Sequence, residues 1–556
     1  MTNNRYSFGS RIGLLLTFGA FLALGGCIKD RSMLPTEGPG SNLAVSLEIE
    51  GVENVDDGIN VESFDKLMLS PTVTGGEGVN LEYRWTLSKS SDVNELGEEV
   101  IANTKDLDAV IERTESTAPY KLTFTVINKD MSDLELSTTW DLYVSGFIAS
   151  GLVVADTKDG SKTDLSYIKS KAVSRAYEGE PKSKMHLLLP GNAPSSPATG
   201  LYYSAEGYIF SSHGNHLWMT TADGRLFRYD VKTFAPAAVS DDGNLFLYRP
   251  GGSIKVYTAV SAGQLFVAMT DAGAYSFVQK TKGNLSFSVP VSDASVDVSV
   301  PSNGLIAGQA NNMASNRDVA MWFDESRGRF VTLTPVDSWG SVYGYGSILS
   351  SDAYDPNSLK GFEAKAVEYT KDQYATSYAL LKKKDADEFY LFQAVMGKSA
   401  TVKAEAQTKY SFTPKVTEVL SQGVSFVFEK STTVLYVLTP QKIYAIPFGG
   451  SSTLLDTVTE VYSAPAGEEF TLGKLFVQAE YSVGSNYISL VKPKPGELPL
   501  NLKALLVASQ KGAEGILRVI PIDQDKIGTG ALLTGADQVS EFGGFDTILA
   551  VTSLGQ

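Results

Sequence analysis

The sequence predicts an all-β protein: a small antiparallel sandwich followed by a β-propeller, seven blades preferred. Three observations carry this expectation. Between Leu43 and Ser145, short apolar runs alternate at period two, as half-buried strands do. From Gly151 onward one pattern recurs: four or five apolar residues, a polar Gly/Asp/Lys turn, and a second short apolar run. Helical periodicity is nearly absent, with Phe362 to Tyr369 and Lys398 to Gln407 as the weak candidates.

In chain order, Arg5 and Arg11 precede the 14-residue stretch from Gly13 to Gly26, which ends at Cys27, the single cysteine. A basic start, a short apolar run and small residues before the cut make an export signal over residues 1–26. The run is shorter than the roughly 20 residues of a membrane-spanning helix. Leu24-Gly25-Gly26-Cys27 resembles the lipobox of bacterial lipoproteins, which implies cleavage before Cys27 and acylation of that residue. Several acyl chains on one residue would hold a soluble body at a bilayer, making this a membrane protein by lipid anchor alone. Residues 27–42, with Pro35, Gly38, Pro39 and Gly40, form the expected lipid-anchored flexible stalk.

The formal net charge is −16, and removing residues 1–26 takes away Arg5, Arg11 and no acid, giving −18. Nucleic acid and anionic membrane surfaces need a basic footprint, so this charge argues against both as partners. A hydrophobic fraction of 43% with 10% aromatics is that of a globular chain. Beyond Cys27 there is no thiol, so neither a disulfide nor a cysteine-ligated metal site is available within the body.

The sandwich is placed at residues 43–145. Its strands are Leu43 to Ile49, Lys66 to Ser70, Leu81 to Leu87, Tyr120 to Ile127 and Ser137 to Val144, separated by Gly-Gly, Asp-Asp-Gly and Asn-Lys-Asp turns. About a hundred residues around one central tryptophan, Trp85, suit an immunoglobulin-like sandwich. Trp85 is taken as core. The propeller occupies residues 146–556. Its hairpins are marked by Val153, Trp218, Phe266, Trp322, Ala379, Tyr436 and Leu506, whose six intervals average about 59 residues. One four-stranded blade with its loops is of that order, the repeat proper being roughly 40–50. A set of irregular β-sandwich domains is the competing architecture.

Catalytic signatures are missing. There is no G-x-S-x-G elbow, H-E-x-x-H helix or phosphate-binding G-x-x-x-x-G-K-[ST] loop. Asp156 to Gly160 lacks the spacing and closing Glu of a calcium loop and is assigned to a hairpin turn. His213 and His216, with His186, are the three histidines. They fall short of a zinc set unless a carboxylate completes it, and no metal or other cofactor is expected. Acidic pairs such as Glu98/Glu99, Asp241/Asp242 and Glu468/Glu469 abound, but glycosidase chemistry depends on a separation that sequence does not give. The chain is therefore expected not to be an enzyme. Aromatics in Gly/Ser-rich stretches stand out instead: Trp339, Tyr343, Tyr345 and Tyr354 in one, Tyr202 and Tyr203 in another. Flat rings with a polar edge suit a sugar or peptide. These six are the candidate ligand contacts; plugging the channel or packing a loop is the competing role.

The "L-x-Y-x-W" strand at Leu81 and the "Y-x-L-x-F-x-V" strand at Tyr120 resemble PKD-like domains. With the lipobox, the charged Lys29-Asp30 pair after Cys27 and the junction from Gly151 to Ile168, essentially the whole mature chain resembles the PKD-like family lipoproteins of Bacteroidetes. That resemblance implies an accessory, non-catalytic lipoprotein of the outer membrane, exposed at the cell surface, with the periplasmic face as the alternative. Such a protein would bind a peptide or glycan nutrient, or scaffold a SusC/SusD-type TonB-dependent importer, its suspected partner. A surface hydrolase on a propeller scaffold and an adhesin or envelope structural protein are the alternatives.

Overall fold

A computed structural model describes residues 42–555 apart from 49–57, 63–64, 90–98, 112, 114–117, 132, 146–149, 175–176, 178–179, 189–192, 205–215, 232–233, 235, 241–244, 247–253, 263–264, 272, 279–304, 311–316, 336–342, 370–375, 396–403 and 479–497. The chain divides into two compact units between Ser145 and Gly146.

The first unit is a β-sandwich. Its larger sheet orders Ile59–Glu62, Leu134–Ser145, Tyr120–Asn128, Leu81–Lys89 and Glu99–Ala102. Ladders are antiparallel except the first pair, where Ile59 to Glu62 run parallel to Leu142 to Ser145. Two small ladders, Lys66–Leu69 with Leu107–Val110 and Ala44–Ser46 with Thr72–Thr74, complete it. Alternation in the sequence now has its cause: every second side chain of Tyr120–Asn128 enters one core with Trp85, Leu122, Phe124 and Trp140. Trp85 is fully buried, lies 4.6 Å from the Phe124 ring, and its indole N–H donates to the Lys105 carbonyl at 3.2 Å. Truncating such a residue costs roughly 3–5 kcal/mol.

The second unit is a seven-bladed β-propeller. Blade 1 consists of Thr547–Gly555, Ser150–Thr157, Asp164–Lys169 and Lys182–His186, so the last strand of the chain closes the ring on the first blade. Blade 2 holds Ala198–Ser204, His216–Thr221, Leu226–Asp230 and Pro236–Val239. Blade 3 has three strands among the described residues, Val256–Ala262, Leu265–Thr270 and Gly273–Val278. Blade 4 comprises Leu305–Ala310, Arg317–Asp324, Arg329–Pro335 and Tyr343–Ser347. Blade 5 comprises Phe362–Tyr369, Thr376–Lys383, Phe389–Val395 and Glu405–Phe412, with Leu454–Leu455 added in parallel. Blade 6 is Ser425–Phe428, Val434–Leu438, Lys442–Pro447 and Thr459–Ser463; blade 7 is Glu469–Leu475, Ala504–Lys511, Glu514–Pro521 and Ser540–Phe545.

The first-named strand of each blade touches that of the next, from blade 1 through blade 7 and back, which makes these seven the inner wall of an axial channel. All seven marker residues fall on the second strand of their blades. These strands pack against a blade on either face and are buried along most of their described length, completely so in Ser150–Thr157 and Val434–Leu438. Continuous apolar runs follow from that double burial. Core clusters fill the spaces between blades, for example Phe323, Leu381 and Phe392 between blades 4 and 5 and Val427, Tyr436 and Val507 between blades 6 and 7.

Three local expectations are corrected. Phe362–Tyr369 is a strand, not a helix; its period is broken by a bulge between Ala364 and Ala366, which mimics a helical repeat. Of Lys398 to Gln407, the described part lies at 404–407 and enters the strand Glu405–Phe412. The helix forms instead at Pro414–Ser421, with proline in its first turn and Val416 and Leu420 buried against blades 5 and 6. Finally, the glycine-rich aromatic stretches are not only loop: Tyr343–Ser347 is an edge strand and Ala198–Ser204 an inner one. At Gly200 a side chain would occupy the position of the Tyr202 hydroxyl, two residues on along the same face.

Candidate functional site

Inner strands of a propeller have a blade on each face and one open edge, so backbone groups on that edge look into the channel and must find partners there. Side chains of neighbouring inner strands supply some of them. Ser425 of blade 6 donates to the Gly473 carbonyl of blade 7 at 3.2 Å and accepts from the Gly473 N–H at 3.1 Å. A Cβ on Gly473 would sit 2.8 Å from Leu438, so only glycine lets these strands approach so closely. Between blades 2 and 3 the Tyr202 and Thr258 hydroxyls lie 3.2 Å apart.

The ends of the inner strands of blades 5, 6 and 7 concentrate charge. Glu368 and Tyr369 close strand Phe362–Tyr369, Lys430 lies two residues past Ser425–Phe428, and Lys474 is next to last in Glu469–Leu475. The Lys430 Nζ is 3.1 Å from a Glu368 carboxylate oxygen and 4.2 Å above the Tyr369 ring. Burial would lower its pKa, but the Glu368 charge and the Tyr369 phenol outweigh this and hold it above the usual lysine value. Lys474 reaches across to blade 1, donating to the Val551 carbonyl at 3.0 Å. The residue is exposed, while its amine lies against the channel wall at Val551. Desolvation by that wall, with repulsion from Lys430 opposed only in part by Glu368, brings its pKa down to about 8. Two amines and one carboxylate thus share one end of the channel.

Those residues singled out from sequence that are described lie elsewhere and apart. Tyr354 is buried between blades 4 and 5, its hydroxyl donating to the Gln393 carbonyl at 2.8 Å. Tyr345 packs edge-on to Trp322 and donates to the Ala274 carbonyl at 3.1 Å, bridging blades 4 and 3. Burial pushes both phenols up. Tyr202 is half-buried against Phe266, and Tyr203 is buried. The backbone of Tyr343 pairs with Pro335, while Trp339 and Cys27 lie outside the described residues. Of the histidines, His186 meets Asp164 at 2.6 Å in blade 1, His216 is buried in blade 2, and His213 lies outside the described residues. Among the described residues no group of three His, Cys, Asp or Glu is placed to hold a metal ion. The turn at Asp156 to Gly160 is a hairpin turn, with Asp159 accepting from the Ser161 N–H and Gly160 at positive φ.

Sequence reasoning missed Lys474, Lys430 and Glu368. Each is an ordinary charged residue by type, and their positions near inner-strand ends, about one repeat apart, were the available signal.

No protein-family model and no curated protein matches the chain. Solved structures do. A quinonprotein alcohol dehydrogenase-like protein from Bacteroides thetaiotaomicron is 12% identical, with 89% of this chain and 95% of that one covered and a TM-score of 0.42. Hsv2 from Kluyveromyces lactis is 9% identical over 71% of this chain and 99% of its own, at a TM-score of 0.35. BamB from Moraxella catarrhalis is 11% identical over 66% and 90%, at 0.27. Likenesses this distant transfer no activity, ligand or partner.

Proposed function

We propose that this is a lipid-anchored protein of the outer-membrane surface whose propeller binds a ligand or partner without turning it over, in the service of a SusC/SusD-type importer. The observation that carries the binding role is the exposed Lys474 on an inner strand, whose amine has the Val551 carbonyl as its described partner. The anchor rests on the lipobox-like Leu24-Gly25-Gly26-Cys27, and the importer on the resemblance to PKD-like family lipoproteins. Peptide and glycan nutrients both offer groups that an amine recognises. Among the described residues no helix is long and apolar enough to cross a membrane, and the acylated Cys27 supplies the attachment in this proposal.

Affinity capture of the protein from detergent-solubilised outer membranes, followed by mass spectrometry, should recover an importer. Cys27→Ser should move the protein from the membrane fraction to the soluble envelope fraction. Unchanged partition of that variant, or capture with no importer, would count against the anchor and the partner respectively.

A further inference from the structure

Lys430 is satisfied within the wall, by Glu368 on one side and the Tyr369 ring on the other. Lys474 is not. An ammonium has three N–H donors, and the described structure gives this one a single acceptor, the Val551 carbonyl. The residue is exposed on an inner strand, which leaves its remaining donors open to a ligand. With one carboxylate set against two amines, the cluster keeps a unit of positive charge although the chain carries −16 overall.

From this arrangement we infer that the channel end formed by blades 5, 6 and 7 binds the carboxylate of a small ligand, with Lys474 as its principal contact. The inference deepens the binding role proposed above and rests on it. A carboxylate has two oxygens with lone pairs to match the free donors of Lys474, and a charge-assisted bond of this kind is about twice as strong as a neutral one. The Glu368 carboxylate has the opposite consequence: its charge is engaged with Lys430, but it still repels a second anion, so the guest's carboxylate seats on the blade 7 and blade 1 side. A neutral sugar or an amidated peptide lacks the group that these donors select. Free peptide C-termini and uronic acids both carry it, and they are the two sources that the chemistry allows.

Isothermal titration calorimetry on the detergent-solubilised mature protein at pH 7 separates these. The probes are N-acetyl-dialanine, its C-terminal amide, glucuronate and methyl glucoside. At least one acid should bind about tenfold or more tightly than its neutral counterpart. Lys474→Met should lose that preference, and Lys474→Arg should keep it, with melting curves showing all three proteins folded. Tighter binding of the dipeptide acid assigns the site to peptide ends, and tighter binding of glucuronate assigns it to uronic acids. Equal binding of acid and neutral probes, binding by none of the four, or an unaffected Lys474→Met would each overturn the inference. Importer capture by Lys474→Met tells the two levels apart: if it persists while carboxylate selection is absent, the scaffold role stands and the ligand assignment falls.

Discussion

Blade 7 carries two charged groups that chemistry alone would class together, and their surroundings set them to opposite uses. Arg518, on the third strand, is almost completely buried; it donates to both Glu468 carboxylate oxygens at 2.6 and 3.0 Å, to the Ser509 hydroxyl at 2.8 Å and to Glu541 at 2.9 Å. Burial works against its charge, but the two carboxylates outweigh it and raise the guanidinium pKa. Lys474, on the inner strand, has one carbonyl partner, and desolvation by the wall together with the like charge of Lys430 lowers its pKa. A cation whose donors are all matched inside the protein has nothing left to offer a ligand. One whose donors look into a channel has lost protein partners and gained the capacity to bind.

The largest expected effect comes from breaking the closed network. Arg518→Leu leaves Glu468 buried beside Ser509 without its guanidinium, a loss worth about 3–5 kcal/mol. Chemical denaturation should show this, and the doubly substituted Arg518→Leu/Glu468→Leu should recover much of it, since two apolar groups strand no charge. If Arg518→Leu proved neutral, the contrast between the two cations would lose its structural half.

Next in size is Tyr354→Phe. Its hydroxyl bonds the Gln393 carbonyl inside the core between blades 4 and 5, and removing it should cost about 1 kcal/mol. Ligand binding at the channel should be unchanged. Stability equal to wild type together with weakened binding would return this ring to the ligand contacts expected from sequence and take weight from Lys474.

What could be seen in the sequence was what burial writes twice. Second and third blade strands press apolar faces on both neighbouring blades, so Val434 to Leu438 and its counterparts stand out as unbroken apolar runs, and seven of them gave seven blades. Inner strands are covered on their faces but open along one edge, and they carry Gly, Ser and Tyr in mixtures that resemble loops. Gly200 beneath Tyr202 is the clearest case, because the glycine that looked like flexibility is the space that the ring fills. The bulge at Ala364/Ala366 hid another strand by shifting its period. The charged cluster was hidden for a different reason: Glu368, Lys430 and Lys474 come together only because the ring brings successive inner-strand ends to one place, and no local pattern records that.

The smallest expected effect bears most directly on the open half of the contrast. Lys474 has a folded pKa of about 8, below the ordinary lysine value of 10.5. Between those two values the unfolded chain holds more protons than the folded one, so this group makes stability rise with pH across that window. Below about pH 8 the folded state bears the full penalty of keeping the amine charged where the wall desolvates it and Lys430 repels it, with Glu368 and the Val551 carbonyl as the facing groups that offset it. Lys474→Met removes the penalty. The variant should melt higher than wild type at pH 7, and the gap should close as the pH climbs through 8 towards 10.5. Channel water screens the charges, which holds the difference to about 1–2 °C. Carboxylate binding by the wild type should weaken over the first part of the same range as the amine loses its proton, while Lys430, held above its usual pKa, stays charged. A variant that melted lower than wild type at pH 7 would mean that Lys474 is a stabilising part of the wall, matched like Arg518, and the two cations of blade 7 would no longer differ in kind.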